Sequence, residues 1–419
     1  MKRFVSLAVV FYIIQALEAL GGIGRLLYGE WAGQPGNKVT ELSNLLLIVI
    51  SIWLFFRVIF QMRGAGIALA IGAALFLCCS VVWSIDPQTT LRRGFIYLFV
   101  VMGAIGIAGS VSVDEFMVLL VRVCGISAIA SVVLLLVSPN NALMIGDDDG
   151  AIVLRGIFSQ KNVLGQAMAA GAIGALHCLR VRKRKSLRDI GALVLFTVVT
   201  LLSKSTTSLL MIFASIGVDV LVLLHNKRGA TRTLSRALTI VIVPSGLLVL
   251  LFPDLFLELL GKDPTLTGRS ELWAYVWADI YQKPLLGWGY AAFWTPTNPL
   301  ALEISAAVKW NVPQAHNGVL EILINIGLIG LILFIFLLMR TIFLSLRCPA
   351  RALAMSSLLC CGAIGILGVS ETVLMEPFQI TTSLFFIMGL MCEQASRVAR
   401  RQRLSADRFE TYGDPALRA

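Results

Sequence analysis

Hydrophobic and polar positions are arranged along this chain in long blocks. Apolar runs occupy approximately 4–22, 42–60, 65–83, 95–112, 115–137, 163–180, 189–203, 206–225, 238–252, 317–339, 352–370 and 378–392. Most reach the roughly 17 to 25 residues that a helix needs to cross a hydrocarbon layer. Inside lipid the backbone has no water to bond, so such runs satisfy their polar groups internally as helices. The pattern predicts an all-α, polytopic integral membrane protein with about 12 transmembrane helices. The short runs at 189–203, 238–252 and 378–392 leave ten or eleven full spans as the other count.

One polar island, Pro253 to Ala315, interrupts the blocks. At about 60 residues it is far longer than an ordinary connection between helices, and loops of that length usually carry function. The chain therefore divides into N-terminal transmembrane helices (1–252, about nine), a large loop (253–316), C-terminal transmembrane helices (317–396, about three) and a basic tail (397–419).

Within the loop, Ser270 to Gln282 has helical periodicity. Leu272, Trp273, Val276, Trp277, Ile280 and Tyr281 fall on one face, opposite Glu271, Ala274, Ala278 and Asp279. Thr267 or Ser270 is the candidate cap and Pro284 ends the pattern. Such a helix lies along the membrane interface or packs on its own bundle, and either placement brings its start near the lipid headgroups. Pro284-Leu285-Leu286-Gly287-Trp288-Gly289-Tyr290 reads as a turn in which glycines admit close backbone approach.

Composition removes the soluble alternative: 58% of residues are hydrophobic and 14% charged. With the amino terminus inside, the inner connections collect most of the 35 basic residues, including Arg180 to Arg188 and the arginines of the tail. This bias sets orientation and places both termini in the cytoplasm. The net charge of +11 is thus mainly a topology signal, and no nucleic-acid partner is expected. Glu18 and the missing small-residue cleavage site favour a retained first helix over a removed signal peptide. The eight cysteines fall in spans or at inner ends, so no disulfide framework is indicated. The tail from Arg397 reads as a mobile juxtamembrane segment near anionic lipid.

Cations on the outer face gain nothing from topology, which makes Arg92, Arg93, Arg155, Lys161, Lys204 and Arg269 informative. Arg92 and Arg93 precede the fourth span, and Arg155 and Lys161 precede the sixth. A snorkelling anchor is the plain explanation for any one of them. Converging at headgroup depth, beside glycines, Arg155 and Arg269 would bind a phosphate or pyrophosphate, for which a planar guanidinium is well suited.

Of the three histidines, His177 and His225 lie at inner helix ends, where solvated headgroup contacts account for them. His316 sits outside, next to Asn317, where an apolar run begins; it is the candidate general base, with a structural helix-start histidine as the competing reading. No second histidine stands at metal-ligand spacing, and Asp147-Asp148-Asp149-Gly150 reads as a turn. No metal and no cofactor is expected. Among charges inside spans, Arg122 and Asp219 are candidate partners, and Glu371 and Glu376 are candidates to pair with the outer arginines.

Several segments together resemble the motif series of the O-antigen ligase and polymerase-like family, with the exopolysaccharide polymerase branch especially similar. They are Arg155-Gly156-Ile157-Phe158 with Lys161-Asn162-Val163-Leu164-Gly165, Gly268-Arg269-Ser270-Glu271-Leu272-Trp273, Pro284 to Gly289, and Ala315-His316-Asn317-Gly318-Val319-Leu320-Glu321. Asp86-Pro87 with Thr90-Leu91-Arg92-Arg93 is similar to a further family element. The resemblance implies a metal-independent inverting glycosyltransferase at the periplasmic face of a bacterial inner membrane. Its donor would be a glycan on undecaprenyl pyrophosphate and its acceptor a sugar hydroxyl.

By motif, Arg155 and Arg269 would bind the donor pyrophosphate and His316 would activate or orient the acceptor. Arg92, Arg93, Lys161 and Asn317 join the expected substrate-binding set; at Lys161 many relatives carry histidine or another polar residue. Membrane lipid, a chain-length regulator and export proteins are the expected partners. The expectation is a polymerase that joins lipid-linked repeat units, with a ligase to lipid A core as runner-up. A transporter would instead show inverted repeats and midplane charges, and a scaffold would tolerate replacement of Arg155, Arg269 and His316.

Overall fold

The computed structural model describes residues 2–17, 38–62, 64–146, 150–182, 186–225, 229, 233, 269–368, 376–377 and 379–412. The expected span at 238–252, the first part of the large loop, Glu18 and Glu371 lie outside the described residues. The helices are α1 (Lys2–Ala16), α2 (Lys38–Val58), α3 (Ala65–Cys79, continued by a 3₁₀ turn over Ser80–Trp83), α4 (Pro87–Ser110) and α5 (Val113–Val137). A hairpin of β1 (Leu143–Ile145) and β2 (Ile152–Leu154) follows, then α6 (Lys161–Val181), α7 (Leu187–Ser203) and α8 (Thr206–His225). The loop contributes α9 (Arg269–Gln282) and α10 (Pro299–Val308), before α11 (Gly318–Leu346), α12 (Arg351–Leu367) and α13 (Ile380–Tyr412).

Among the described residues, seven helices are long and apolar enough to cross a membrane: α2, α3 with its 3₁₀ turn, α4, α5, α6, α8 and α11. The protein is a polytopic membrane protein, all-α among the described residues apart from one short antiparallel hairpin, whose strands pair Leu143 with Leu154 and Ile145 with Ile152. Residues 147–149, at the hairpin's tip, lie outside the described residues.

Helix α6 is the central post. It packs against α5, α7, α8 and α12, and its residues from Leu164 to Cys178 are buried. Glycines and alanines fill its surface, which lets neighbouring backbones approach; close packing of small residues is a main source of helix association where lipid competes with apolar side chains. Peripheral helices do the opposite. Leu45, Val49 and Phe56 of α2 and Ile126, Ile129 and Val133 of α5 are exposed large apolar side chains that suit contact with acyl chains.

Several expectations are corrected. Helix α4 begins at Pro87, capped by the Asp86 side chain, which accepts from the Thr89 N–H. Arg92 and Arg93 therefore stand within a helix, with both side chains exposed. His177 is fully buried: Nδ1 lies 2.8 Å from Ser356 Oγ and Nε2 2.9 Å from Asp114 Oδ1. Asp219 pairs with Arg180 at 2.6 Å in place of the expected Arg122, which is exposed. The tail expected to be mobile continues α13 as helix to Tyr412, supported at its start by the Glu393–Arg397 pair one turn apart.

Candidate functional site

The architecture around His316 starts with a break in α11. Gly327 has φ 65° and ψ −168°, a conformation that essentially only glycine adopts. The break frees backbone groups that an unbroken helix would pair, and the segment after α9 takes them up. Trp288 and Gly289 donate their N–H groups to the carbonyls of Ile324 (2.9 Å) and Asn325 (2.8 Å). In return, Leu328 and Ile329 donate to the carbonyls of Pro284 (2.8 Å) and Leu285 (3.1 Å). Non-helical backbone at membrane depth is tolerated where protein covers it in this way. Gly287 (φ 64°) lies so close that an added Cβ would stand 2.6 Å from the Asn325 carbonyl carbon. This is the close approach that the glycines of the Pro284 to Gly289 segment predict.

The same segment is fastened to the turn before α4 and to the first turn of α4. Ile85 N–H donates to the Trp288 carbonyl at 2.8 Å, Trp83 Nε1 to the Leu286 carbonyl at 2.9 Å and Thr90 Oγ1 to the Tyr290 carbonyl at 2.9 Å. Burial, and next the negative charge of Glu376, push the Tyr290 hydroxyl well above its ordinary pKa, while Arg93 acts in the opposite direction. Arg93 and Glu376 thus both bear on the Tyr290 environment.

Helix α9 buries Leu272, Val276 and Ile280 against the start of α11. Trp277 and Tyr281, expected on that apolar face, are exposed, and Asp279, expected on the polar face, is buried. The helix packs on its own bundle by a narrow stripe and turns two aromatic rings outward, with centroids 5.9 Å apart. Arg269 is its first residue. One turn later, the Trp273 indole N–H donates to the Ala315 carbonyl at 3.0 Å.

Ala315 is held from its other side as well. Its N–H donates to Glu321 Oε2 at 2.8 Å, and the same oxygen accepts from Trp294 Nε1 at 3.1 Å. His316 follows in the left-handed region, with φ 51°. Its ring lies 5.7 Å from that of Trp310, and Gln314 Nε2 is 3.5 Å from its Nδ1. Asn317 caps α11, its Oδ1 accepting from the N–H groups of Val319 and Leu320. Gly318 N–H then donates to the Gly368 carbonyl at 2.8 Å, which ties the start of α11 to the end of α12. His316 is a partly exposed imidazole on a backbone fixed on both sides.

Arg155 stands on another module. Its N–H donates to the Ala142 carbonyl at 2.9 Å, and its Nε lies 3.4 Å from the Asn141 carbonyl oxygen. Gly156 (φ 58°) packs on Ser131 of α5, whose Oγ accepts from the Ile157 N–H at 3.2 Å. Lys161 is buried at the start of α6 rather than exposed at headgroup level. The geometry thus gathers Trp273, Pro284 to Tyr290, the Trp83 to Thr90 segment and the turn that carries His316 on one set of contacts, while Arg155 and Lys161 belong to the hairpin and α6. The side chain of Arg269 lies outside the described residues.

Residues 191–335 match the family model described as O-Antigen ligase. The chain is also 30% identical over 284 residues to the Exopolysaccharide production protein ExoQ of Rhizobium meliloti, covering 65% of this chain. Over these residues the chain is similar to the O-antigen ligase-like family. It spans 64% of the length of ExoQ. A "Putative polysaccharide ligase" of Rickettsia felis is 33% identical over 90 residues, and one of Rickettsia conorii 32% over 90; each match covers 21% of this chain and 22% of the relative. The O-antigen ligase match contains Arg269, His316, Asn317 and Glu321, whereas Arg92, Arg93, Arg155 and Lys161 precede it.

The sequence places none of Glu321, Trp294 and Tyr290 among the candidate site residues. For Glu321 a signal was present: it is a carboxylate one turn into an apolar run, a position where an unpaired charge is costly.

Proposed function

We propose that the protein polymerises undecaprenyl-pyrophosphate-linked oligosaccharide repeat units into exopolysaccharide at the periplasmic face of the inner membrane. The transfer is metal-independent and inverts the anomeric centre. The observation that carries this reading is the fixed, partly exposed His316, joined through Ala315 and Trp273 to the helix that begins with Arg269. The similarity to ExoQ, whose name refers to exopolysaccharide production, supports the choice of product.

In this mechanism His316 accepts the proton of the acceptor hydroxyl as its oxygen attacks the anomeric carbon of the donor. The bond from that carbon to the pyrophosphate oxygen breaks, and undecaprenyl pyrophosphate leaves with the electron pair. Pyrophosphate is already a good leaving group, so the protein chiefly supplies position and fixed positive charge. Arg155 and Arg269 neutralise the leaving group, and exposed Arg92 and Arg93 add charge on the same side. Lys161, buried at a helix start, supports the Arg155 module. Asn317 acts through the cap that orients the His316 turn. Donor glycan, acceptor glycan and membrane lipid are the partners, with a chain-length regulator and export proteins joining in the cell.

A second reading, transfer of finished polymer to lipid A core, is favoured by the family description and by the names of the Rickettsia relatives. Deleting the gene in the producing cell separates the two. Accumulation of single repeat units on carrier lipid supports the polymerase, and complete polymer stranded on the carrier supports the ligase. Normal polymer in normal linkage overturns both.

A further inference from the structure

Glu321 is a buried carboxylate, 5% exposed, that the mechanism above does not use. Its two oxygens accept three hydrogen bonds from neutral donors: Ala315 N–H at 2.8 Å and Trp294 Nε1 at 3.1 Å on Oε2, and Asn325 Nδ2 at 2.8 Å on Oε1. Burying a carboxyl group is costly unless such donors compensate it. The three donors come from three places: the turn leading to His316, the strap between α9 and α10, and the next turn of α11. One side chain therefore joins the turn before the candidate base, the strap between α9 and α10 and the helix at whose kink the Pro284 to Gly289 segment docks.

His316 needs such a fixture. Its left-handed backbone is one that non-glycine residues rarely adopt, and it persists only where the surroundings impose it. On its carboxyl side the Asn317 cap does so, and on its amino side Ala315 is gripped between Glu321 and Trp273. We infer that Glu321 is a positioning residue for the transfer: its carboxylate sets the Ala315 peptide and through it aims the His316 imidazole at the acceptor hydroxyl. This role rests on the proposed function. A glutamine is a poor substitute, because its single carbonyl oxygen can serve Ala315 and Trp294 only by turning an amide N–H toward the Asn325 N–H.

The test uses the purified full-length protein in detergent or nanodiscs. Its substrate is undecaprenyl-pyrophosphate-linked repeat units extracted from producing cells that lack the gene. Losing the hydrogen-bonded carboxyl group that holds the turn before the base is expected to lower kcat by about ten- to a hundredfold in Glu321→Ala, and less in Glu321→Gln. KM for the lipid-linked units stays within about twofold, since the arginines remain. Trp294→Phe removes one donor to the same oxygen and lowers kcat by a few-fold without moving KM. A merely structural role would lower the amount of folded protein and raise KM together with any fall in kcat.

If Glu321→Ala does not fold, Glu321→Gln and Trp294→Phe decide by the same split. Normal kcat in the folded Glu321 variants, with His316→Ala inactive, overturns the positioning role and leaves the proposed function standing. Wild-type protein that does not join the units, or His316→Ala that joins them normally, overturns the proposed function and this role with it.

Discussion

The indole N–H of Trp273 donates to the carbonyl oxygen of Ala315 at 3.0 Å, and this bond joins the loop helix to the residue before His316. It links two segments more than 40 residues apart in the chain, the helix that opens with Arg269 and the turn that carries His316 into α11. In the proposed transfer this contact couples the helix that begins with Arg269 to the turn that carries His316. Trp273→Phe keeps the aromatic body and deletes the donor. We predict a stability loss of about 1 kcal/mol and a several-fold slower polymerisation, measured as polymer chain length per unit of folded protein. Unchanged chain length would contradict the coupling.

The interlocked backbones of the Pro284 to Gly289 segment and the α11 kink leave no room for a side chain. Gly327→Ala places a methyl group against the Leu285 backbone at a φ of 65°. Strain and overpacking together should cost about 3 kcal/mol. A clearly lowered melting temperature of the detergent-solubilised protein is the expected result, whereas Gly72→Ala, with open space around it, should change little.

The left-handed turn at His316 predicts a specific order of variants. Glycine meets no Cβ penalty there and alanine does, so His316→Gly should be more stable than His316→Ala by about 1 kcal/mol. Both should be equally inactive. Chemical or thermal unfolding of the two proteins side by side checks the backbone claim separately from the chemistry.

Asn317 is a helix cap with two N–H groups on its oxygen. Asn317→Ala should therefore cost about 1 kcal/mol, while Asn317→Ser retains a capping oxygen and most of the activity. A serine variant that is stable yet inactive would show that the asparagine amide touches substrate directly.

Asp279 gives a pH-dependent prediction outside the spans. Burial, and then the charge of Glu303, hold its carboxyl above the usual carboxylate range. The folded loop therefore favours protonation of Asp279 more than the unfolded chain does. The stability it contributes is complete below the unfolded carboxyl pKa of about 3.9 and is lost as pH rises through the raised folded value. Asp279→Asn keeps an oxygen for Gln282 Nε2, which donates to it at 2.9 Å. The variant should melt higher than wild type at neutral pH, with the gain vanishing toward pH 3.5. A lower melting temperature at pH 7 would contradict the assignment.

The bundle was legible in the sequence because apolar runs in a membrane protein have few alternatives to helix. The runs at 65–83 and 206–225 coincide with spans of the structure. The α9 helix and the glycine turn after it were also readable from periodicity and composition. Other features depend on long-range partners. Nothing local at Gly327 says that α11 breaks there, because the Pro284 segment supplies the missing bonds from elsewhere in the chain. Asp219 was matched with Arg122 by charge alone, whereas Arg180 on α6 reaches it. The helix at Pro299–Val308 did carry a local signal: Asn298 caps it and Pro299 occupies its first turn.

The most direct test of the central claim is polymer size together with carrier-lipid intermediates in cells expressing His316→Gly, Arg155→Ala or Arg269→Ala, each at wild-type membrane level. The account predicts loss of polymer with accumulation of single lipid-linked repeat units in all three. Normal polymer in the three strains would contradict it.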